Sequence, residues 1–301
     1  MSYRLAAALA IAAIQLTIVA GQELPTFRAE TRLVVLHATV TNRRGELLSD
    51  LDRAAFTVYE NGRRQPIALF RRDDVPVSLG LVIDNSGSMR SLRSSVEEAA
   101  LTFVRASNPR DDVFVLNFAD KAHVDVPLTS DVSVLEAGIT RVDSIGGTAM
   151  RDAVLMAERY LRQHASHDRR VLLVITDGND NASSASMDQL RKILDQSETG
   201  VFAVGLFRDD SPSAGRGRDE LDHLSELTGG LAHYPTSIDQ IDSVVLEIAR
   251  QIRNEYTVAY APVNQAFDGT YRAIQLKVTG PGGLSVRTRP GYWATLTPVL
   301  P

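Results

Sequence analysis

The sequence predicts an α/β protein: a doubly wound, mostly parallel sheet inserted in a smaller all-β sandwich to which both chain ends contribute. Three observations carry this expectation. From residue 79 onward, short and wholly apolar runs alternate with stretches of helical periodicity, the pattern of strands buried on both faces and joined by crossover helices. The flanks instead hold short β-rich runs punctuated by turn residues. Residues 22–75 and 256–301 number 54 and 46; each is too short for its own β core, but together they match one sandwich, the competing reading being two unrelated β tails packed on the α/β domain.

Residues 1–21 open with Arg4, run apolar from 5 to 20 with only Gln15 and Thr17 interrupting, and end in Ala20 and Gly21. This reads as a secretory signal peptide, with an uncleaved N-terminal anchor as the alternative. The run of 16 residues falls short of the ~18 to 20 that a spanning helix needs. The mature protein is therefore expected to be secreted, or to lie in the periplasm or cell envelope, with no membrane span after cleavage. In the first flank, 32–41, 56–59 and 67–70 read as strands, with turns at 42–45 and at Asn61-Gly62.

The α/β domain is expected at 76–255. Its clearest strands are 79–83, 113–118, 171–175 and 201–206, and 124–128 is a shorter one that closes the edge as an antiparallel hairpin. Leu92, Val96, Ala99, Ala100, Phe103 and Val104 recur at helical spacing, as do Ala153, Met156, Ala157, Tyr160 and Leu161, and then Leu190, Ile193 and Leu194. The last helix, 237–255, is the most regular, with Ile238, Ile241, Val245, Ile248 and Ile252 on one face. The stretch 208–219 is rich in Ser, Gly, Pro and charge and reads as a mobile loop. Beyond it, 256–261, 271–279 and 285–289 read as strands of the second flank, and in 271–279 Ile274, Leu276 and Val278 alternate with polar neighbours.

Composition narrows the chemistry. The chain has 301 residues, 44% hydrophobic and 23% charged, with a net charge of −5, too apolar and too weakly charged for a disordered chain. Mild acidity leaves no electrostatic footprint for nucleic acid. The absence of cysteine removes disulfides, thiolate nucleophiles and Cys-ligated zinc, so any metal site must use oxygen or imidazole. Nearly all basic residues are Arg, with only Lys121, Lys192 and Lys277 as lysine, a bias read as codon preference.

The strand at 79–83 runs into Asp84-Asn85-Ser86-Gly87-Ser88-Met89 just before a helix, which puts Asp84, Ser86 and Ser88 at the carboxyl end of a buried strand, where open α/β sheets bind ligands. Ile145-Gly146-Gly147-Thr148 precedes another helix, and its glycines would let backbone approach a ligand closely. Thr176-Asp177-Gly178-Asn179-Asp180 follows the strand at 171–175. In a sheet of order 3-2-1-4-5-6 the strands before Asp84 and Asp177 are neighbours, so the three loops converge on one crevice. Two carboxylates and three hydroxyls suit a hard divalent cation, Mg²⁺, Mn²⁺ or Ca²⁺. With so few anionic ligands the ion keeps much of its charge, and an open position would favour a carboxylate from another protein.

At these residues the sequence resembles the von Willebrand factor type A (VWA) family, whose metal-ion-dependent adhesion site (MIDAS) reads Asp-x-Ser-x-Ser, then Thr, then Asp. Asp84, Ser86, Ser88, Thr148 and Asp177 match all five positions. The resemblance implies that the serines and threonine hold the ion directly or through water, and the aspartates mostly through water. It implies an exported binding or adhesion module, not an enzyme, and a helix at 237–255 that slides when the metal takes a ligand. More narrowly, the signal peptide, Glu60-Asn61-Gly62 and Arg289-Pro290-Gly291-Tyr292 resemble secreted bacterial VWFA-related proteins frequent in acidobacteria.

Plainer readings compete. Hydroxyls and aspartates at loop ends also serve as helix caps and turn formers, Ser88 and Asp177 among them. A serine hydrolase using Ser86 or Ser88 would need Gly-x-Ser-x-Gly and a placed base, and His123, His164, His167, His223 and His233 read as surface or capping residues. A structural envelope protein with a purely stabilising metal is the third alternative. Asp180 reads as a solvated turn residue.

Overall fold

The computed structural model describes residues 33–72, 74–140, 145–178, 180–207 and 211–295. The segment expected to be a signal peptide lies outside them. In chain order the elements are β1 (Val34–Thr41), β2 (Phe56–Glu60), β3 (Arg63–Gln65), β4 (Ile67–Arg71), β5 (Ser78–Asp84), α1 (Arg93–Ala106), β6 (Asp112–Phe118), β7 (Ala122–Thr129), α2 (Val132–Ile139) and α3 (Met150–His164). They continue with β8 (Arg170–Thr176), α4 (Met187–Asp195), β9 (Gly200–Gly205), α5 (Pro212–Thr228), β10 (Ala232–His233), α6 (Ile241–Arg253), β11 (Tyr256–Tyr260), β12 (Tyr271–Val278), β13 (Ser285–Arg287) and β14 (Gly291–Trp293).

Six strands form one sheet in the order β10-β9-β8-β5-β6-β7, the expected doubly wound order. All pair in parallel except β7, which closes the edge antiparallel to β6. Every residue of β5 is buried, because helices cover both faces. On one face Leu79, Leu81 and Ile83 pack with Val96, Phe103, Val245 and Ile248 of α1 and α6. On the other, Val82, Phe114 and Leu172 pack with Ala153, Ala157 and Leu161 of α3 and with Leu190 and Leu224 of α4 and α5. Each buried Leu or Phe contributes about 1.5–3 kcal/mol.

The flanks form two four-stranded sheets, β13-β1-β11-β4 and β14-β12-β2-β3. Each is centred on a pair that joins the two flanks: β1 runs antiparallel to β11, with Val34 opposite Tyr260, and β2 runs antiparallel to β12, with Phe56 opposite Val278. Val34, Leu36, Val58, Tyr256, Tyr260 and Leu276 share their core. At both sides the chain passes from one sheet to the other, between β3 and β4 and between β13 and β14. The alternation in β12 buries Ile274 and Leu276 and turns Gln275 and Lys277 outward. Asn61 and Gly62, at φ 48° and 76°, form the hairpin turn between β2 and β3.

Three expectations are corrected. Residues 212–219 belong to α5 and not to a mobile loop: Ser211 caps the helix by accepting a hydrogen bond from the Ala214 N–H, Pro212 occupies its first turn, and Ala214 and Gly217 are buried. The last helix is interrupted at its start, a 3₁₀ turn at Ile238–Gln240 preceding α6. Met156, placed on the apolar face of α3, is 40% exposed. Among the described residues no helix is long and apolar enough to cross a membrane.

Candidate metal centre

Asp84 ends β5 and Thr176 ends β8, its sheet neighbour. The next residues turn over the same end of the sheet. Asp84 is 1% exposed; its Oδ1 accepts the Ser86 N–H at 2.8 Å and its Oδ2 accepts the Thr176 hydroxyl at 2.6 Å. Ser86 Oγ lies 3.0 Å from Ser88 Oγ, and Ser88 Oγ donates to Asp177 Oδ1 at 2.8 Å. One polar chain therefore runs from the β5 loop to the β8 loop. Burial pushes the Asp84 carboxyl up to about 6, with the charge of Asp177 adding to the shift and the bonds from Thr176 and Ser86 opposing it.

The third loop is tied in through backbone. The Gly87 N–H donates to Gly146 O at 3.0 Å and the Ile145 N–H to Asn85 O at 3.0 Å. Thr148 is buried, and its Oγ1 faces Gly178, 3.3 Å from where a Cβ on that glycine would sit. All five oxygen-bearing residues thus gather at the carboxyl ends of β5 and β8.

These hydroxyls are not helix caps. Neither the 3₁₀ turn Gly87–Ser91 nor α1 nor α3 has a side-chain cap. Where this chain does cap helices it uses Asp131, Ser186 and Ser211. Among the described residues, no hydrogen bond joins Ser86 or Ser88 to a histidine, and the Ser88 Oγ donates to Asp177 Oδ1.

The glycines of the third loop lie close against protein side chains. A Cβ on Gly146, which has φ 98°, would fall 2.5 Å from Asp120 Oδ2, and one on Gly147 would fall 2.7 Å from Asn181 Oδ1. They make room for two supporting side chains: Asp120 Oδ1 accepts the Gly147 N–H at 2.7 Å and Asn181 Oδ1 the Thr148 N–H at 2.9 Å. Sequence reasoning missed both, along with Thr176 and Asn85, whose Nδ2 donates to Asn117 Oδ1 at 2.8 Å. A local signal existed for Asp120, which follows the carboxyl end of β6 as Asp177 follows that of β8.

Asp180 is also corrected. Its side chain is fully buried, ion-paired with Arg151 at 3.0 Å and accepting from the Arg151 and Ser183 backbone N–H groups. Burial works to raise its pKa, but the bonds from Arg151 and Ser183 hold it below the usual carboxylate range. It pins the Asp177 loop to the start of α3.

The donor set fits a hard cation: three hydroxyls and two carboxylates gather at one end of the sheet, and burial raises the pKa of one of those carboxyls. Among the described residues no group of three His, Cys, Asp or Glu could hold a metal.

Residues 79–179 match the family model of the von Willebrand factor type A domain. Calcium-activated chloride channel regulator 1 of Macaca mulatta is 29% identical over 171 residues, 54% of this chain and 17% of that protein. Inter-alpha-trypsin inhibitor heavy chain H4 of Homo sapiens is 24% identical over 225 residues, 68% of this chain and 23% of that protein. The chain thus spans less than a quarter of the length of these curated relatives. Among solved structures, a von Willebrand factor type A protein from Catenulispora acidiphila aligns at TM-score 0.52 and 14% identity over 86% of this chain and 73% of its own. Proximal thread matrix protein 1 from the mussel byssus, with a zinc-occupied MIDAS motif, aligns at TM-score 0.50 and 17% identity over 64% of this chain and 50% of its own. The two structural likenesses show the fold alone, and the family match covers residues 79–179 of this chain.

Proposed function

We propose that Asp84, Ser86, Ser88, Thr148 and Asp177 hold a divalent cation, Mg²⁺ or alternatively Mn²⁺ or Ca²⁺, and that the protein is an exported binding or adhesion module rather than an enzyme. The observation that supports this best is the unbroken polar chain from Asp84 through Ser86 and Ser88 to Asp177, made of hydroxyls that cap no helix. When bound, the ion supplies an electrophilic position that accepts a carboxylate of a protein partner. The chain's own residues orient the hydroxyls, exclude Asp84 from solvent and fix the Thr148 loop through Asp120 and Asn181. The α/β unit, 76–255, is read as an insertion into the sandwich of 22–75 and 256–301, which carries it; the first 21 residues are read as the export signal.

Calorimetric titration of Mg²⁺, Mn²⁺, Ca²⁺ and Zn²⁺ into the intact protein and into Asp84→Ala tests the reading. Binding by the wild type with loss in the variant is expected, and equal affinity in both refutes it. Zn²⁺ belongs in the series because a structural neighbour binds it at the corresponding motif.

A further inference from the structure

The sheet β14-β12-β2-β3 turns one face to the sandwich core and the other outward. Along β12, Ile274 and Leu276 are buried while Tyr271, Gln275 and Lys277 are exposed. The register carries that outer face across the sheet. Tyr271 stands opposite Trp293 of β14, Lys277 opposite Thr57 and Gln275 opposite Tyr59 of β2, and Tyr59 opposite Arg64 of β3. Two aromatic groups result. Tyr271 and Trp293, 37% and 40% exposed, meet with ring centres 5.5 Å apart. The Lys277 ammonium lies over Tyr59, 5.0 Å from its ring centre. From Tyr271 to Lys277 is six residues of strand, about 20 Å. None of the outward side chains of these four strands is acidic, although the chain as a whole carries −5. Asp195, which accepts the Trp293 indole N–H at 3.2 Å, is itself buried. At the basic end an open cleft of about 710 Å³ shares Thr57 and Arg64 with this face and adds Arg53, whose guanidinium donates to the neutral Ile67 carbonyl.

We propose that this face is a second binding surface, built on elements other than those of the metal centre, and that its ligand is an acidic polysaccharide. Sugar rings lie against Tyr271 and Trp293, and the carboxylate or sulfate of an acidic sugar meets Lys277, Arg64 and Arg53. Charge chooses the sign of the ligand: a basic, acid-free patch on an acidic chain attracts an anion. The exposed rings choose its shape, because a pyranose presents a flat C–H face to an aromatic ring and keeps its hydroxyls at the edge, within reach of polar groups such as Gln275 and Thr57. A single-stranded nucleic acid needs cations along its whole backbone, and here they stand at one end. An acidic peptide supplies the charge but no flat ring for Tyr271 and Trp293. The strands hold these side chains in place before the ligand arrives, so binding orders little of the protein.

The test titrates the intact protein into fluorescein-labelled fragments of polygalacturonate, dextran sulfate and uncharged dextran, with labelled polyglutamate and a thymidine oligonucleotide alongside. Anisotropy is read with Mg²⁺ and again in chelator. At least one of the two acidic glycans should bind more tightly than the other three probes, equally with and without chelator, and added salt should weaken it. Which of the two binds tells a carboxylate ligand from a sulfate one. Tyr271→Ala and Trp293→Ala should each weaken that binding about fivefold or more, and Lys277→Glu should remove the advantage of the acidic glycan over dextran. Tyr271 and Lys277 are exposed, so both variants should keep the wild-type urea midpoint. No binding of either acidic glycan, dextran binding as tightly, or polyglutamate or the oligonucleotide binding as tightly or more so overturns the proposal. So does binding unchanged in Tyr271→Ala or in Lys277→Glu. Binding lost in chelator also overturns it and moves recognition to the metal centre, whose own reading stands or falls by the cation titration alone.

Discussion

Asp84→Asn should make the metal-free protein more stable. Asp84 ionises from about 3.8 in the unfolded chain, but in the folded protein burial and the charge of Asp177 push it up to about 6. Between those values the folded state binds more protons than the unfolded one, so this group's contribution to stability falls as pH rises through the window and stays low above it. A shift of about two pH units corresponds to about 3 kcal/mol. Asparagine keeps the shape: its oxygen can accept the Ser86 N–H and its amide can donate to Thr176 Oγ1, replacing the two bonds Asp84 now makes.

In chelator at neutral pH the variant should therefore exceed wild type by up to about 3 kcal/mol, and the gap should close as pH is lowered toward 4. The assay is urea denaturation of both proteins across that range, read as the difference between them. Wild type alone is uninformative because His37 contributes an opposite slope in an overlapping window. Added Mg²⁺ should then reverse the order, since it stabilises only the protein that binds it. A variant less stable than wild type in chelator at neutral pH, or a gap independent of pH, would refute the argument that Asp84 is a buried carboxylate awaiting positive charge.

Two further outcomes follow from the junction between the α/β unit and the sandwich. Arg169 and Glu255 pair at 2.6 Å with side chains only 5% and 6% exposed, so Arg169→Met should cost about 3–5 kcal/mol by stranding a buried carboxylate, and adding Glu255→Leu should recover most of it; a double-mutant cycle by urea denaturation measures both, and additive losses would contradict the pairing. His37 is lowered from 6.5 to about 3 by burial, reinforced by Arg169 and Arg289. Its contribution to stability is present above about 6.5 and lost as pH falls toward 3. His37→Gln should accordingly flatten the acid side of the stability profile, and the same loss between pH 7.5 and 4.5 in variant and wild type would count against it.

The α/β core was legible because its signals are local. β5, β6, β8 and β9 are wholly or almost wholly buried and read as unbroken apolar runs, while amphipathic helices repeat every turn. Four of the five residues proposed to hold the cation were legible for the same reason, because Asp84, Ser86, Ser88 and Asp177 stand at or just beyond the end of such a run, whereas Thr148 was legible from Gly146-Gly147-Thr148 ahead of α3. α5 was misread because its first turns hold Pro212, Ser213, Gly215 and Gly217, poor helix formers by themselves. Tertiary packing overrides that preference: Ala214, Gly217, Leu221 and Leu224 sit on the buried face.

By itself the sequence determined most of the strands and helices, though not α2, α5, β3, β10 or β14, the contribution of both flanks to β sheets and the cluster of hydroxyls and carboxylates. Tertiary structure alone decided what holds that cluster. Asp120 supports Gly147 from 27 residues away, Asn181 supports Thr148 from 33, and Thr176 reaches Asp84 from 92. It also decided that the glycines of the third loop yield space to protein side chains and that Asp180 is buried. Periodicity reports which face of an element is apolar, whereas a hydrogen bond between loops depends on where separate elements place their ends. That placement exists only once the sheet has assembled.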